Sequence, residues 1–185
     1  ADLVHEFPVP VITQLSHGGR RAGVERRRYL KADWPTIAPS PVPMSAYGYV
    51  QVMPSEMSTG EVEDMVQAFG LAARRAKEGM LDGVEIVIGQ SALVSQFLHP
   101  QSNRRTDKYG GQTLAERMTF LYEILSIVRQ NLGTDLLLGV RINDDLVDYS
   151  IDYEDTKAMV PLLEATGLLD YVNIWVGFVL DEAAS

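Results

Sequence analysis

The 185-residue chain contains no cysteine. That excludes disulfides and thiolate chemistry and accords with a reducing, cytoplasmic setting. Histidine is scarce: His5, His17 and His99 are the three present, and they offer no zinc-like spacing, so no metal site is expected. Basic residues are outnumbered, 16 against 25 acids, for a formal net charge of −9. Broad nucleic-acid binding needs a basic surface and is not expected here. No apolar run approaches the ~18 residues of a membrane helix. The first residues, Ala1-Asp2-Leu3-Val4-His5, lack the basic and apolar regions of a signal peptide. The missing initiator Met implies a start that was cut, processed or left out. Internal repeats and low-complexity stretches are also absent.

What is present is an ordinary globular composition, 46% hydrophobic and 22% charged, long enough for one domain spanning residues 1–185. Strand-like and helix-like segments alternate. Pro10 to Leu15 is a short β-rich run, followed by an irregular stretch from Ser16 to Met57 with a hairpin expected near Tyr47–Met53. Ser58-Thr59-Gly60-Glu61 reads as a capping box opening a helix with Val62, Met65, Val66, Phe69, Ala72, Ala73 and Ala76 on one face, stopped near Gly79. Val84 to Ile88 is nearly all apolar, as expected for a strand buried on both faces. Thr113-Leu114-Ala115-Glu116 is a second capping box, predicting one helix closing at Gly133. Leu136 to Ile142 reads as a strand. A helix capped by Asp152 or a neighbour follows, with Pro161 inside it predicting a kink or late start. Tyr171 to Val176 is a fourth strand. Strands alternating with capped helices imply parallel pairing with right-handed crossovers, satisfied by an open doubly wound sheet or by a barrel. No Gly-x-Gly-x-x-Gly follows a strand, which weakens a Rossmann reading. Polar residues cluster just after strands: Gln14 and His17, Gln90, Arg141 and Asn143, Trp175. In a (β/α)₈ barrel these would surround one mouth.

Three stretches carry a family resemblance. Gln14-Leu15-Ser16-His17-Gly18-Gly19-Arg20 resembles a Q-L-x-H-x-G-R signature. Asp82-Gly83-Val84-Glu85-Ile86, then Ser95-Gln96-Phe97-Leu98-His99-Pro100, then Asn103-Arg104-Arg105-Thr106-Asp107-Lys108-Tyr109-Gly110-Gly111 resemble D-G-V-E-I, Q-F-L-S-P and N-x-R-T-D-x-Y-G-G. Glu116-Arg117 and Gly139-Val140-Arg141-Ile142-Asn143 continue in register. The pattern is similar to that of the Old Yellow Enzyme family, nearest the branch of enoate reductases, dienoyl-CoA reductases and trimethylamine dehydrogenase. The resemblance implies an α/β fold, a (β/α)₈ TIM barrel holding FMN at its C-terminal mouth, with NAD(P)H as reductant and a small-molecule substrate. It implies that Gln14 hydrogen-bonds the flavin pyrimidine edge, where an amide that both donates and accepts suits adjacent carbonyl and N–H groups. It implies that Arg141 sets a fixed positive charge near flavin N1.

One departure stands out. The family reads H-x-x-H or H-x-x-N and then x-Y after the second strand here; those side chains hold a substrate oxygen and donate a proton. This chain has Val87, Gln90 and Ala92 at those positions. Val and Ala neither donate nor titrate. Gln90 is the candidate catalytic residue that remains, able to orient a substrate oxygen, while oxidation of an amine by hydride abstraction needs no such proton donor. Structural readings stay open beside these: Gln14 as a loop-satisfied strand end, Arg141 paired with Asp144 or Asp145, His17 as a hydrogen-bonder under a loop, Arg105 and Asp107 as a loop-fixing ion pair, and Trp175 as core.

A (β/α)₈ barrel usually takes ~250 residues. By the resemblance, the four strands are about strands three to six of eight, a partial barrel incomplete at both ends. The expected function is FMN-dependent hydride transfer on an enoate-type or amine-type substrate. The alternatives are a non-catalytic barrel relative, a truncated fragment that no longer binds flavin, or an open-sheet binding protein. Pairing of two copies through open strand edges, a homo-oligomer, is a further expectation.

Overall fold

The computed structural model describes residues 1–22, 36–44, 53–89, 91–144, 151 and 153–176. A parallel sheet forms the centre. Its strands are β1 (Ile12–Leu15), β4 (Gly83–Ile88), β5 (Leu137–Asp144) and β6 (Tyr171–Val176), hydrogen-bonded in the order β1-β4-β5-β6. The two short strands β2 (Ile37–Ala38) and β3 (Ser55–Glu56) pair with each other apart from it. Among the described residues the central order does not reverse. A doubly wound sheet needs such a reversal, whereas a singly wound barrel wall does not. The observed order is that of a barrel wall.

One sheet face is apolar. Val84, Ile86 and Ile88 of β4 and Leu138, Val140 and Ile142 of β5 belong to the main hydrophobic core. The helices α2 (Thr59–Glu78) and α5 (Thr119–Leu132) supply its other half. Val62, Val66, Phe69, Ala73 and Ala76 of α2 meet Phe120, Leu121, Ile124, Leu125, Val128 and Leu132 of α5, all buried. Apart from Phe120 and Leu132, these fall at the helical spacing read in the sequence. The Ser58 cap of α2 is complete: Ser58 Oγ accepts from Glu61 N–H, and the Glu61 carboxylate accepts from Ser58 N–H at 2.7 Å. Thr113 and Glu116 repeat that arrangement.

One expectation is overturned, one is narrowed, and two short helices are not foreseen by the sequence. The single helix from Thr113 to Gly133 is two, α4 (Leu114–Arg117) and α5, with Met118 between. The Thr119 hydroxyl takes the Glu116 carbonyl at 2.8 Å, a local bond that competes with the helical ladder. Of the kink or late start expected from Pro161, the late start is not seen: α6 runs from Tyr153 to Glu164 with Pro161 inside. Two short helices, α1 (Asp2–His5) and α3 (Leu93–Leu98), carry no amphipathic signal; every residue of α3 is buried, so it has no polar face to reveal a period. The hairpin expected near Tyr47–Met53 and the Asp152 cap lie outside the described residues, Met53 excepted. No described helix is long and apolar enough to cross a membrane.

The amino-terminal ends of the strands are stapled by acids. Asp82 accepts from the Val11 N–H at 2.6 Å and meets His5 Nε2 at 2.8 Å. Asp170 accepts from Leu138 N–H and from Arg129, each at 2.7 Å. At the opposite end, the segment from Asn103 to Gly111 folds on its own side chains. Asn103 Nδ2 donates to the carbonyls of Phe97 and Tyr109, each at 2.7 Å. Arg105 pairs with Asp107 at 2.6 Å, and Asp107 also accepts from Thr59 Oγ1 at 2.8 Å. This ion pair fixes the loop, as its sequence position suggests.

The Arg105 guanidinium above all, with Thr59 and the Tyr109 N–H, holds the Asp107 carboxyl down from 3.8 to about 2. A depressed carboxyl stabilises the fold fully above its unfolded value, and that contribution is lost as pH falls through the folded value. Asp107→Asn is expected to cost about 1–2 kcal/mol at neutral pH, discounted for partial exposure. In urea denaturation the gap between variant and parent should close between about pH 4 and pH 2; a gap independent of pH would mean that the charge of Asp107 does not stabilise the fold.

Candidate functional site

The second face of the sheet is polar where the first is apolar, because alternate residues of a strand point to opposite sides. Register places Gln14, Glu85, Gly139 and Tyr171 in one row across β1, β4, β5 and β6. Two residues further along, Val87, Arg141 and Asn173 form the next row. Gln14 and Arg141, far apart in sequence, thus share a face near the carboxyl ends of their strands, where barrel enzymes build their sites. Gln90 lies outside the described residues.

Glu85 ties the first row together. It is 5% exposed. Gln14 Nε2 donates to its Oε1 at 2.7 Å, and Asn173 Nδ2 donates to its Oε2 at 3.2 Å, so the carboxylate links β1 to β6. Between them Gly139 has no side chain; a Cβ there would run into the Tyr171 ring. That ring lies across β5. Burial first, then the charge of Glu85 beside it, pushes the Tyr171 phenol well above its ordinary range and keeps it protonated. Sequence reasoning quoted Glu85 within a motif without giving it a role and overlooked Tyr171 and Asn173. The available signal was one acid inside Gly83-Val84-Glu85-Ile86-Val87-Ile88, because a carboxylate in a strand buried throughout requires partners.

Arg141 is half-buried, and its guanidinium lies 5.1 Å from the Trp175 ring centroid. Cation–π contact at that distance restrains the guanidinium without using its N–H donors. Among the described residues Arg141 makes no hydrogen bond or ion pair. Gln14 is exposed, and among the described residues only one of its N–H donors is engaged. An amide and a guanidinium with spare capacity on one face suit a planar ligand that carries carbonyl and N–H groups and gathers negative charge. The isoalloxazine of FMN has that chemistry.

The loop after β1 is held by α3. Gln96, fully buried, accepts from Arg20 N–H at 3.2 Å and donates to the carbonyls of Gly18 at 3.0 Å and Ser91 at 2.6 Å. Gly19 sits at φ 57°, pressed against Gln96, a backbone shape natural to glycine. His17 Nδ1 accepts from Gly19 N–H at 3.1 Å, and burial lowers its pKa, which keeps it neutral and able to accept. His17 is thus a hydrogen-bonder under a loop. Val87 is buried on the site face beside Arg141, and Ala92 is buried where it caps α3.

Residues 1–176 match the model of the NADH:flavin oxidoreductase / NADH oxidase family. The chain is 34% identical over 177 residues to a multifunctional alkene reductase/demethylase of Caballeronia cordobensis, covering 96% of this chain and 24% of that protein. It is 34% identical over 169 residues to an NADH oxidase of Thermoanaerobacter brockii, covering 91% of this chain and 25% of that protein. The structure of morphinone reductase in complex with tetrahydroNAD superposes with a TM-score of 0.78 at 25% identity, over 94% of this chain and 50% of that one. The chain therefore spans about a quarter of the curated relatives named here and half of that barrel.

Gly139→Ala is expected to lower stability by about 1–3 kcal/mol, because the new methyl must displace the Tyr171 ring. Tyr171→Val in the same chain should recover most of the loss in thermal denaturation. An unchanged midpoint in the single variant would show that the ring is not held against β5.

Proposed function

Since this chain belongs to the NADH:flavin oxidoreductase / NADH oxidase family, we propose that the full-length protein carrying it is an FMN-dependent oxidoreductase acting on a small organic substrate, with NAD(P)H as the reductant where the flavin must be reduced. The observation that supports this is the placement of Gln14 and Arg141 on one sheet face with unused hydrogen-bonding capacity. Bound FMN would supply hydride transfer at N5. Gln14 would hold the pyrimidine edge, offering an acceptor and a donor side by side. Arg141 would hold negative charge near N1, with Trp175 limiting the movement of its guanidinium.

Within this reading, Val87 and Ala92 favour an amine-type substrate over an enoate-type one. Reduction of an activated alkene asks for donors on the substrate oxygen and a proton for the carbon. Val87 and Ala92 supply neither. Hydride abstraction from a carbon next to nitrogen needs no proton donor at those positions. Gln90 would orient the substrate through its amide. The Caballeronia cordobensis relative joins both chemistries, alkene reductase and demethylase.

Titrating the purified full-length protein with FMN should give a bound-flavin band near ~450 nm. Gln14→Ala and Arg141→Ala should each weaken FMN binding by about tenfold, the loss of one or two hydrogen bonds. Anaerobic mixing with N-methylated amines should bleach that band, and enoates should reoxidise the reduced flavin slowly or not at all. Rapid reoxidation by enoates with no bleaching by amines would reverse the substrate assignment. Absence of any flavin binding would remove the oxidoreductase reading and leave a barrel relative without cofactor.

A further inference from the structure

We propose that Glu85 is a positioning residue for the flavin, acting through Gln14; this rests on the FMN reading above. A glutamine amide has two faces of nearly identical shape, one accepting and one donating, and a 180° flip exchanges them. An ionised carboxylate only accepts. Glu85 Oε1, 2.7 Å from Gln14 Nε2, therefore decides the orientation: the NH₂ group turns toward β4 and the carbonyl oxygen away from it. The flipped amide would set two acceptors against each other at that distance, beside the buried strand β4.

The carboxylate is itself immobilised. Its second oxygen accepts from Asn173 Nδ2 at 3.2 Å, reaching from β6 past β5. The Tyr171 ring lies across Gly139 in the gap between them. Glu85 is 5% exposed and belongs to a strand buried along its whole length, so its rotation is confined. The chain from Asn173 through Glu85 to Gln14 crosses the sheet and ends on an amide whose carbonyl oxygen and second N–H remain available among the described residues. Those two groups form the donor–acceptor pair that a flavin pyrimidine edge requires, and Glu85 fixes which of them is where. Glu85 need not touch the cofactor.

The test is a double-mutant cycle on FMN binding in the full-length protein, read by fluorescence quenching and by the position of the flavin absorbance band. Glu85→Gln keeps the volume but removes the charge that sets the flip. It is expected to weaken FMN binding by about tenfold and to shift the band. In a Gln14→Ala background the same substitution should change FMN affinity by less than about twofold, because the residue through which it acts is gone. Asn173→Ala, which frees one carboxylate oxygen, should weaken binding about threefold in the parent and not at all without Gln14. If Glu85→Gln does not fold, the Asn173→Ala cycle carries the same decision. Equal losses with and without Gln14 would overturn the positioning role and leave Glu85 as a structural hub. An unsubstituted protein that binds no FMN would overturn the flavin reading together with this inference, whereas FMN binding with additive losses would overturn this inference alone.

Discussion

A carboxylate inside a fully buried strand must be satisfied from within the protein, and Glu85 is in that position. Its partners come from the two edge strands of the sheet, Gln14 on β1 and Asn173 on β6. Both bonds exist only while β4 and β5 keep their register between those edges. A slip of one residue would move Glu85 to the apolar face and Ile86 to the polar one. Val84, Ile86 and Ile88 oppose that slip through the helix-covered core, and Glu85 opposes it from the other side. The functional face and the structural face are thus two consequences of one alternation.

The two ends of the strands divide their duties in the same way. At the amino-terminal ends, Asp82 and Asp170 bind backbone N–H groups of the neighbouring strand and fix the entry of the chain into the sheet. At the carboxyl ends, Gln14 and Arg141 keep donors and acceptors unused among the described residues. The long motif from Asn103 to Gly111 belongs to the supporting structure. Its Asn, Arg and Asp side chains take up loop carbonyls and N–H groups and anchor α2 to the loop through Thr59. A motif that identifies the family here is a folding device lying apart from the polar row of the sheet.

In the proposed reading, Val87 and Ala92 stand where donors would otherwise hold substrate, and the frame around them is unchanged. Val87 occupies the row of Arg141, and its apolar side chain is compatible with a buried strand. On that proposal, the change would remove a handle on substrate oxygen and leave the proposed cofactor contacts in place.

Much of the fold was legible in the sequence because its signals are local. Two capping boxes placed the starts of α2 and α4, helical spacing marked the buried faces of α2 and α5, and apolar runs located β4, β5 and β6. Where local signals were weak, the reading failed. The helix α3 has no exposed side to betray it, and the break at Met118 coincides with a Thr119 hydroxyl bond to the Glu116 carbonyl. Gln14 and Arg141 stood out by motif, yet their sharing of a face follows from parallel register between strands more than a hundred residues apart in the chain for that pair. Asn173 and Tyr171 could not be tied to Glu85 from sequence at all. The sequence by itself determined the α/β alternation, the helix caps and the family motifs, because each depends on near neighbours. Only the tertiary structure decided that the sheet is singly wound and that one buried carboxylate gathers β1 and β6, because strand order and hydrogen bonds across a sheet join residues that no local pattern connects.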